Sequence, residues 1–82
     1  MNDTQENIGD IVLDARGLKC PLPVLKLEKA LAGAKAGRRV IVLATDPVAR
    51  IDIPLYCRQH GHALAMEEAQ DGVTRFAVVK SN

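Results

Sequence analysis

The pattern of hydrophobic and polar positions along the chain predicts four strands. Ile11–Ala15 is a short apolar segment that reads as the first. Arg39–Ala44 is apolar without alternation, which is typical of a strand covered on both faces or central in a sheet. Two further strands are expected at Ala63–Ala69 and Val73–Val79. The Asp71-Gly72 pair between them is a strong hairpin signal, because glycine accepts the positive φ that such turns require.

Apolar residues at three- and four-residue spacing predict a first helix between the two leading strands. Val24, Leu27 and Leu31 fall on one face of that helix, whereas lysines fall on the opposite face. The helix is expected to begin with Cys20 as its N-cap residue and Pro21 as its first helical residue. Proline suits that position because its fixed φ is helical and its missing N–H would have had no partner.

A second helix is predicted between Arg39–Ala44 and the hairpin. Asp52 is expected as its N-cap residue, with Pro54 tolerated in the first turn, and Gly61 is expected to end it. The residues that share its expected inner face are Ile53, Tyr56, Cys57 and His60.

The order strand–helix–strand–helix–strand–strand predicts the fold class. Strands that alternate with helices imply right-handed crossovers, so the first two strands are expected to be parallel. Two helices are enough to cover one face of a four-stranded sheet. The prediction is a two-layer α/β sandwich with a mixed sheet, formed by residues 10–82 after a poorly ordered tail at residues 1–9.

Composition and charge narrow the class of protein. The 82 residues carry a net charge of +1 and include one tyrosine and one phenylalanine, which gives no electrostatic case for general nucleic-acid binding. No apolar run approaches the ~18 residues of a membrane helix, and the N-terminal segment lacks the basic and apolar regions of a signal peptide. We expect a cytoplasmic monomer that contacts neither membranes nor, directly, nucleic acid.

Cys20 is the residue from which we expect chemistry. A thiol at a helix N-terminus lies against free backbone amides and the positive end of the helix dipole, which lower a cysteine pKa into the range of about 3.5–7.5. Lys19 is adjacent, and Arg16 is close enough in sequence to add positive potential. The predicted species is a thiolate at neutral pH, able to take sulfur from a donor. The alternative is a small, buried apolar residue at a strand–helix junction.

The segment from Leu13 to Val24, LDARGLKCPLPV, resembles the signature of the TusA/SirA family of sulfur carriers, with its Cys-Pro-x-Pro core. Further along, Asp46-Pro47 and Asp52-Ile53-Pro54 with Cys57 resemble the second recurring segment of that family. The resemblance extends from about Ile11 to Lys80 and keeps the element order derived above.

The resemblance implies a βαβαββ sandwich and a specific role for Cys20. In that family the corresponding cysteine accepts a persulfide from a cysteine desulfurase and hands the sulfur to a downstream acceptor protein, without a cofactor. Pro21 and Pro23 match the motif prolines, expected as scaffold. The best-known relay ends in 2-thiouridine of tRNA, and relatives serve molybdenum-cofactor maturation, sulfur oxidation or selenium metabolism. Such a protein is a relay component of sulfurtransferase type, not a stand-alone catalyst.

Two other functions remain open from the residues. The same architecture resembles an RNA-binding domain, so an RNA- or protein-binding regulatory module is the main alternative, although the charge predicts weak RNA affinity. A thiol–disulfide protein that uses Cys20 and Cys57 is the third hypothesis, and the expected burial of Cys57 argues against it.

The sequence also allows predictions for two leucines near Cys20, for Cys57, for Asp46 and for a metal site. Leu22, where the best-known tRNA-thiolating member has an acidic residue, and Leu25 form a candidate apolar docking patch or are scattered surface leucines. Cys57 is expected to be a buried structural thiol. Asp46 is expected as a helix-start residue on the same sheet edge as Cys20, with a secondary role at the transfer site. The least favoured hypothesis, a metal site, would use Cys57, His60 and His62.

Overall fold

A computed structural model describes residues 9–81 and has the predicted order of elements. The strands are β1 (Ile11–Ala15), β2 (Arg39–Ala44), β3 (Ala63–Glu68) and β4 (Thr74–Val79), and the helices are α1 (Leu22–Ala32) and α2 (Ala49–His60). The bounds predicted for β1 and β2 are confirmed, and β3 and β4 are each slightly shorter than predicted. The predicted tail lies outside the described residues, except for Gly9.

The sheet is mixed, with strand order β1-β2-β4-β3. β1 pairs with β2 in parallel, and β4 pairs antiparallel with both β2 and β3. The unbroken apolar sequence of β2 fits this position, because the strand has a neighbour on each side. Its Val40 lies between Ile11 of β1 and Val78 of β4. The parallel pair places the loops that follow β1 and β2 at the same edge of the sheet.

Both helices cover one face of the sheet, so the predicted two-layer sandwich is confirmed. Alternate residues of the two central strands point into this layer, where they are almost completely buried. The largest buried side chains contributed by the strands are Val40, Val42, Phe76 and Val78, and the helices contribute Pro23, Leu27, Ile53 and Cys57. Truncation of such a residue to alanine costs about 2–5 kcal/mol, so this layer holds most of the stability.

The turn between β3 and β4 has the geometry that its sequence predicted. Asp71 and Gly72 both have positive φ, of 60° and 77°, as a type I′ turn requires. The Val73 amide closes the turn by donating to the Gln70 carbonyl at 3.2 Å. This turn fixes the register of the hairpin.

Helix α2 begins at Ala49, so the prediction of Asp52 as its N-cap residue is wrong. The chain turns into the helix earlier, where the Asp46 carboxylate accepts the Val48 amide at 3.1 Å. Pro54 is therefore inside the helix and leaves the Arg50 carbonyl without its usual donor.

The end of α2 is as predicted. Gly61 takes φ 76°, and the following amide of His62 donates to the Cys57 carbonyl at 2.8 Å. Within residues 9–81, no helix has the length and hydropathy needed to cross a membrane.

Candidate functional site

Cys20 lies in the loop between β1 and α1, at the sheet edge where both parallel strands end. Its thiol is exposed. The loop between β2 and α2, which contains Asp46, reaches the same edge, as the parallel arrangement of the two strands predicted. The reactive atom therefore lies where two loops and the starts of two helices meet, which is a common position for sites in sheets of this kind.

Cys20 precedes the helix start instead of capping it, so its predicted role as N-cap residue is wrong. Pro21 is the N-cap residue, and its carbonyl accepts the first helical hydrogen bond, from the Leu25 amide at 3.1 Å. The Leu22 amide is not free to donate to the sulfur, because it donates to the Lys19 carbonyl at 2.8 Å. Pro23 lies in the first turn with its ring in the core, a placement suited to a scaffold residue.

Asp46 fixes the backbone of Cys20. One carboxylate oxygen, Oδ2, accepts the Cys20 amide at 2.7 Å, while Oδ1 accepts the Val48 amide. These two hydrogen bonds, from Cys20 first, hold the pKa of the Asp46 carboxyl below its ordinary value, and the charge of Lys19 acts in the same direction. One ionised side chain thus ties the loop that carries the thiol to the start of α2.

Asp52 contacts the sulfur itself. Its Oδ2 lies 2.6 Å from Cys20 Sγ, as the acceptor of the thiol proton. This hydrogen bond raises the pKa of Cys20, with smaller contributions from partial burial and from the charges of Asp52 and Asp46. The predicted thiolate with a lowered pKa is therefore wrong for the chain on its own. The hydrogen bond to Asp52 and the nearby carboxylate charges outweigh the lowering of the thiol pKa that a helix terminus produces.

Neither of the two basic residues expected to support the thiolate contributes to the pKa of Cys20. Arg16 binds Asp14 through Nε at 2.8 Å and through its terminal nitrogen at 2.9 Å. That pairing holds the pKa of Asp14 at about 2, so the charge of Arg16 is engaged by Asp14. Lys19 lines a shallow groove with Thr45 and Asp46, so it is close to the site but acts on the carboxylate.

Exposed apolar side chains lie near the starts of both helices that meet at the Cys20–Asp52 pair. Leu22 and Leu25 on α1 are about half exposed, as the docking-patch hypothesis requires. A second set, which the sequence pattern did not reveal, lies at the start of α2 and its N-cap position, where residues three and four apart flank Asp52. We call these five residues the apolar rim: Leu22, Leu25, Val48, Ile51 and Leu55. The spacing of the α2 members would have shown this stripe if the helix start had been placed correctly.

Cys57 lies on the opposite face of α2 and is 1% exposed, so the prediction of a buried thiol is confirmed. Burial raises its pKa to about 11, which leaves it protonated and unreactive. His60 packs against Tyr56 with ring centroids 4.4 Å apart and the ring planes tilted by 35°, and the centroid of His62 lies 6.2 Å from the same ring. Within residues 9–81, no group of three metal-ligating side chains converges, so the metal hypothesis gains no support.

A surface cavity of about 480 Å³ lies at the other end of the sheet, and none of the predicted site residues line it. It is lined mainly by Asp10, Gly33, Lys35, Arg38 and Arg39. The groove beside Cys20 is smaller, about 210 Å³. A shallow site with an exposed thiol is suited to meeting another macromolecule, whereas enclosure of a small substrate requires a deeper cavity.

Comparison with known proteins gives a consistent assignment. Residues 11–80 match the family described as sulfurtransferase TusA. A Neisseria meningitidis protein described as a candidate sulfur carrier is 50% identical over 66 residues, which cover 80% of this chain and 89% of the relative. The sulfur carrier protein TusA of Pseudomonas savastanoi pv. phaseolicola is 41% identical over 81 residues, which cover 98% and 96% of the two chains.

The fold comparison agrees with the sequence comparison. The crystal structure of a SirA-like protein from Desulfitobacterium hafniense superposes with a TM-score of 0.80 at 32% identity, over 88% of this chain and 99% of the other. The resemblance of the chain to the TusA/SirA family is thereby confirmed at the level of the whole domain. This chain belongs to the TusA family and has the SirA-like fold.

Proposed function

We propose that this protein is a sulfur carrier that accepts a persulfide on Cys20 and passes the outer sulfur to an acceptor protein. The observation that carries the proposal is the exposed thiol of Cys20 at the meeting point of two helix starts, in a chain of the TusA family. The names of its relatives, which are called sulfur carriers, support the same role.

Loading exchanges one sulfur–sulfur bond for another. The Cys20 thiolate attacks the protonated terminal sulfur of the donor persulfide, which forms a bond from Sγ to that sulfur. The bond between the two donor sulfurs breaks, and its electron pair leaves on the donor thiolate. The proton that Cys20 lost on becoming a thiolate is taken up by the donor thiolate. The exchange is redox-neutral, so it requires no oxidant, reductant or cofactor.

The surroundings of Cys20 suit transfer between two proteins. The apolar rim offers exposed hydrophobic contacts on both sides of the sulfur, and such contacts supply the anchors of many protein interfaces. Asp46 holds the Cys20 backbone while leaving the thiol exposed. A partner that covers the rim would exclude water from the sulfur during the exchange.

Membership of the family supports a proposal for the donor and the destination of the sulfur. We propose a cysteine desulfurase as the donor and a downstream sulfur-acceptor protein as the recipient. The pathway is thiolation of tRNA to 2-thiouridine, or else molybdenum-cofactor maturation or sulfur oxidation. Leu22 stands where an acidic residue is found in the best-known tRNA-thiolating member, so the rim of this chain favours a more apolar acceptor surface.

The test is intact mass spectrometry after incubation with a cysteine desulfurase, its pyridoxal cofactor and cysteine. We expect a gain of one sulfur atom that a reductant removes and that maps to Cys20. Cys20→Ser removes the nucleophile and should abolish the gain. Cys57→Ser is the matched control, because it removes the other, buried thiol and should load like the wild type.

Two results would contradict the proposal. One is sulfur that still loads on Cys20→Ser, which would place the chemistry elsewhere. The other is a wild-type protein that remains unloaded although Cys20 is reduced and can be alkylated. In that case an RNA- or protein-binding module of the same fold would be the better explanation, and a gel-shift with tRNA at physiological salt would test it.

A further inference from the structure

The thiol of Cys20 donates to the carboxylate of Asp52. The sulfur exchange proposed above does not use this carboxylate. Asp52 comes from α2 and meets Cys20 Sγ at 2.6 Å, although the two residues are 32 positions apart in sequence. A thiol hydrogen bond from Cys20 to Asp52 requires a proton on the sulfur, and two anions so close together would repel each other. The contact therefore favours the thiol over the thiolate, and Asp52 is the side chain that provides it.

The side-chain charges that act on the pKa of Cys20 are both negative. Asp52 faces the sulfur from α2, and Asp46 faces the Cys20 backbone from the loop before α2. Of the nearby cations, Lys19 acts on Asp46, and Arg16 is paired with Asp14. Among the described residues, the local field thus opposes any negative charge on this sulfur.

Loading changes the charge at the site. In the persulfide, Sγ has no hydrogen to donate, so the bond to Asp52 is lost. A persulfide is more acidic than its parent thiol, so negative charge develops on the outer sulfur beside two carboxylates. The protein therefore stabilises the empty carrier through a hydrogen bond and destabilises the loaded carrier through repulsion.

We propose that Asp52 biases Cys20 toward its empty, protonated state, so that the carrier is a weak nucleophile on its own and holds its sulfur less tightly at equilibrium. This inference rests on the proposed carrier function and assigns Asp52 as a positioning residue of the same site. The empty thiol is protected from adventitious alkylation and oxidation, which require the thiolate. The loaded form is the less stable of the two, which favours discharge to an acceptor.

The first test measures the rate of Cys20 alkylation by iodoacetamide as a function of pH, with the adduct mapped by mass spectrometry. Asp52→Asn keeps the shape and removes the charge. We expect alkylation at neutral pH to become about threefold to tenfold faster, with the pH profile displaced toward lower pH. Asp52→Glu restores the charge and should return the profile toward that of the wild type.

The matched control is Asp71→Asn, which removes one negative charge at the hairpin, where asparagine accepts the positive φ. It should leave the alkylation profile of Cys20 unchanged. If Asp52→Asn does not fold, titration of the wild-type thiol decides. We expect Cys20 to titrate at higher pH in the folded chain than in the same chain unfolded in urea, and an equal or lower value would overturn the proposal.

The second test measures the equilibrium of sulfur exchange with glutathione persulfide. The sulfur moves from glutathione to Sγ of Cys20, the glutathione sulfur–sulfur bond breaks, and the Cys20 proton goes to the glutathione thiolate. Asp52→Asn should raise the equilibrium constant for loading by about threefold to tenfold, because the charge that arrives no longer meets Asp52.

The outcomes separate this inference from the carrier proposal. Faster alkylation together with greater retention of sulfur in Asp52→Asn, both reversed in Asp52→Glu, supports it. An unchanged or opposite response in either measurement overturns it, even if the wild type loads normally. A wild type that takes up no sulfur would contradict the carrier function, and the alkylation profile would still decide whether Asp52 keeps the thiol protonated.

Discussion

The two cysteines of this chain have thiol pKa values raised for different reasons. Cys57 is enclosed in the core, and burial alone raises its pKa to about 11. Cys20 is exposed, and the main cause of its raised pKa is one hydrogen bond to Asp52. The many core side chains around Cys57 raise its pKa, whereas the pKa of Cys20 depends mainly on the single side chain of Asp52. A thiol controlled by a single removable contact is suited to regulation, and one controlled by the whole core is suited to structure.

The largest effect should be the difference in accessibility of the two thiols. In the native protein at pH 8, iodoacetamide should modify Cys20 at least about a hundredfold faster than Cys57, because the Cys57 thiol reacts only when the core opens. Peptide mapping by mass spectrometry measures both rates in one sample. In urea the two rates should converge. Comparable modification in the native state would show that α2 opens easily and would revive the thiol–disulfide hypothesis.

The second difference should appear in stability. Cys57→Ser places a hydroxyl in an apolar layer and should lower the free energy of unfolding by about 1–3 kcal/mol. Cys20→Ser changes an exposed atom and should leave the urea denaturation curve unchanged within error. Cys57→Ala, which adds no polar atom, separates the cost of the hydroxyl from that of lost packing. A Cys57→Ser protein as stable as the wild type would mean that its hydroxyl finds a partner.

The sequence predicted the features that depend on contacts between residues close together in the chain better than those that depend on distant residues. The bounds of β1 and β2 and the hairpin at Asp71-Gly72 were predictable, because local apolar patterns and turn residues determine them. The same reasoning placed Cys57 in the core. It also predicted that the loop containing Asp46 lies near Cys20, since parallel strands end at the same edge of the sheet.

The errors concern residues whose role depends on tertiary contacts. Asp46-Pro47 and Asp52-Ile53-Pro54 both read as helix starts, and no local pattern chooses between them. The first is used because Asp46 also accepts the Cys20 amide from another loop. The predicted direction of the Cys20 pKa was wrong for a related reason. Sequence reasoning counted the adjacent lysine and the helix dipole but not a carboxylate delivered by the packing of α2 against α1.

The third prediction concerns the surfaces around the two thiols, since only Cys20 has an exposed apolar border. Ile51, the most exposed member of the apolar rim at 68%, should contribute to docking of a sulfur donor. Ile51→Ser should slow loading from a cysteine desulfurase by about threefold to tenfold while leaving alkylation by iodoacetamide unchanged. Val12→Ser is the matched control, because Val12 is 61% exposed on β1, away from the rim. Equal loading by both variants would exclude Ile51 from the docking surface.

The smallest expected effect is the response of the two sites to acid. Asp46 accepts amide hydrogen bonds that hold its pKa below the ordinary value of 3.8, so these bonds stabilise the fold above the unfolded-state pKa and are lost as pH falls through the lowered value. In a pH titration followed by NMR, the Cys20 amide resonance should therefore shift with a midpoint below 3.8. The Cys57 amide, inside a helix, should show no matching shift.

Asp46→Asn provides the control for this titration. Asparagine retains an oxygen that can accept the Cys20 amide but has no charge to titrate, so the acid-dependent shift of that resonance should disappear. A midpoint at or above 3.8 in the wild type, or a shift that persists in Asp46→Asn, would show that another group controls the Cys20 backbone. Asp46 would then not distinguish the backbone of Cys20 from that of Cys57, although the two cysteines would still differ in exposure.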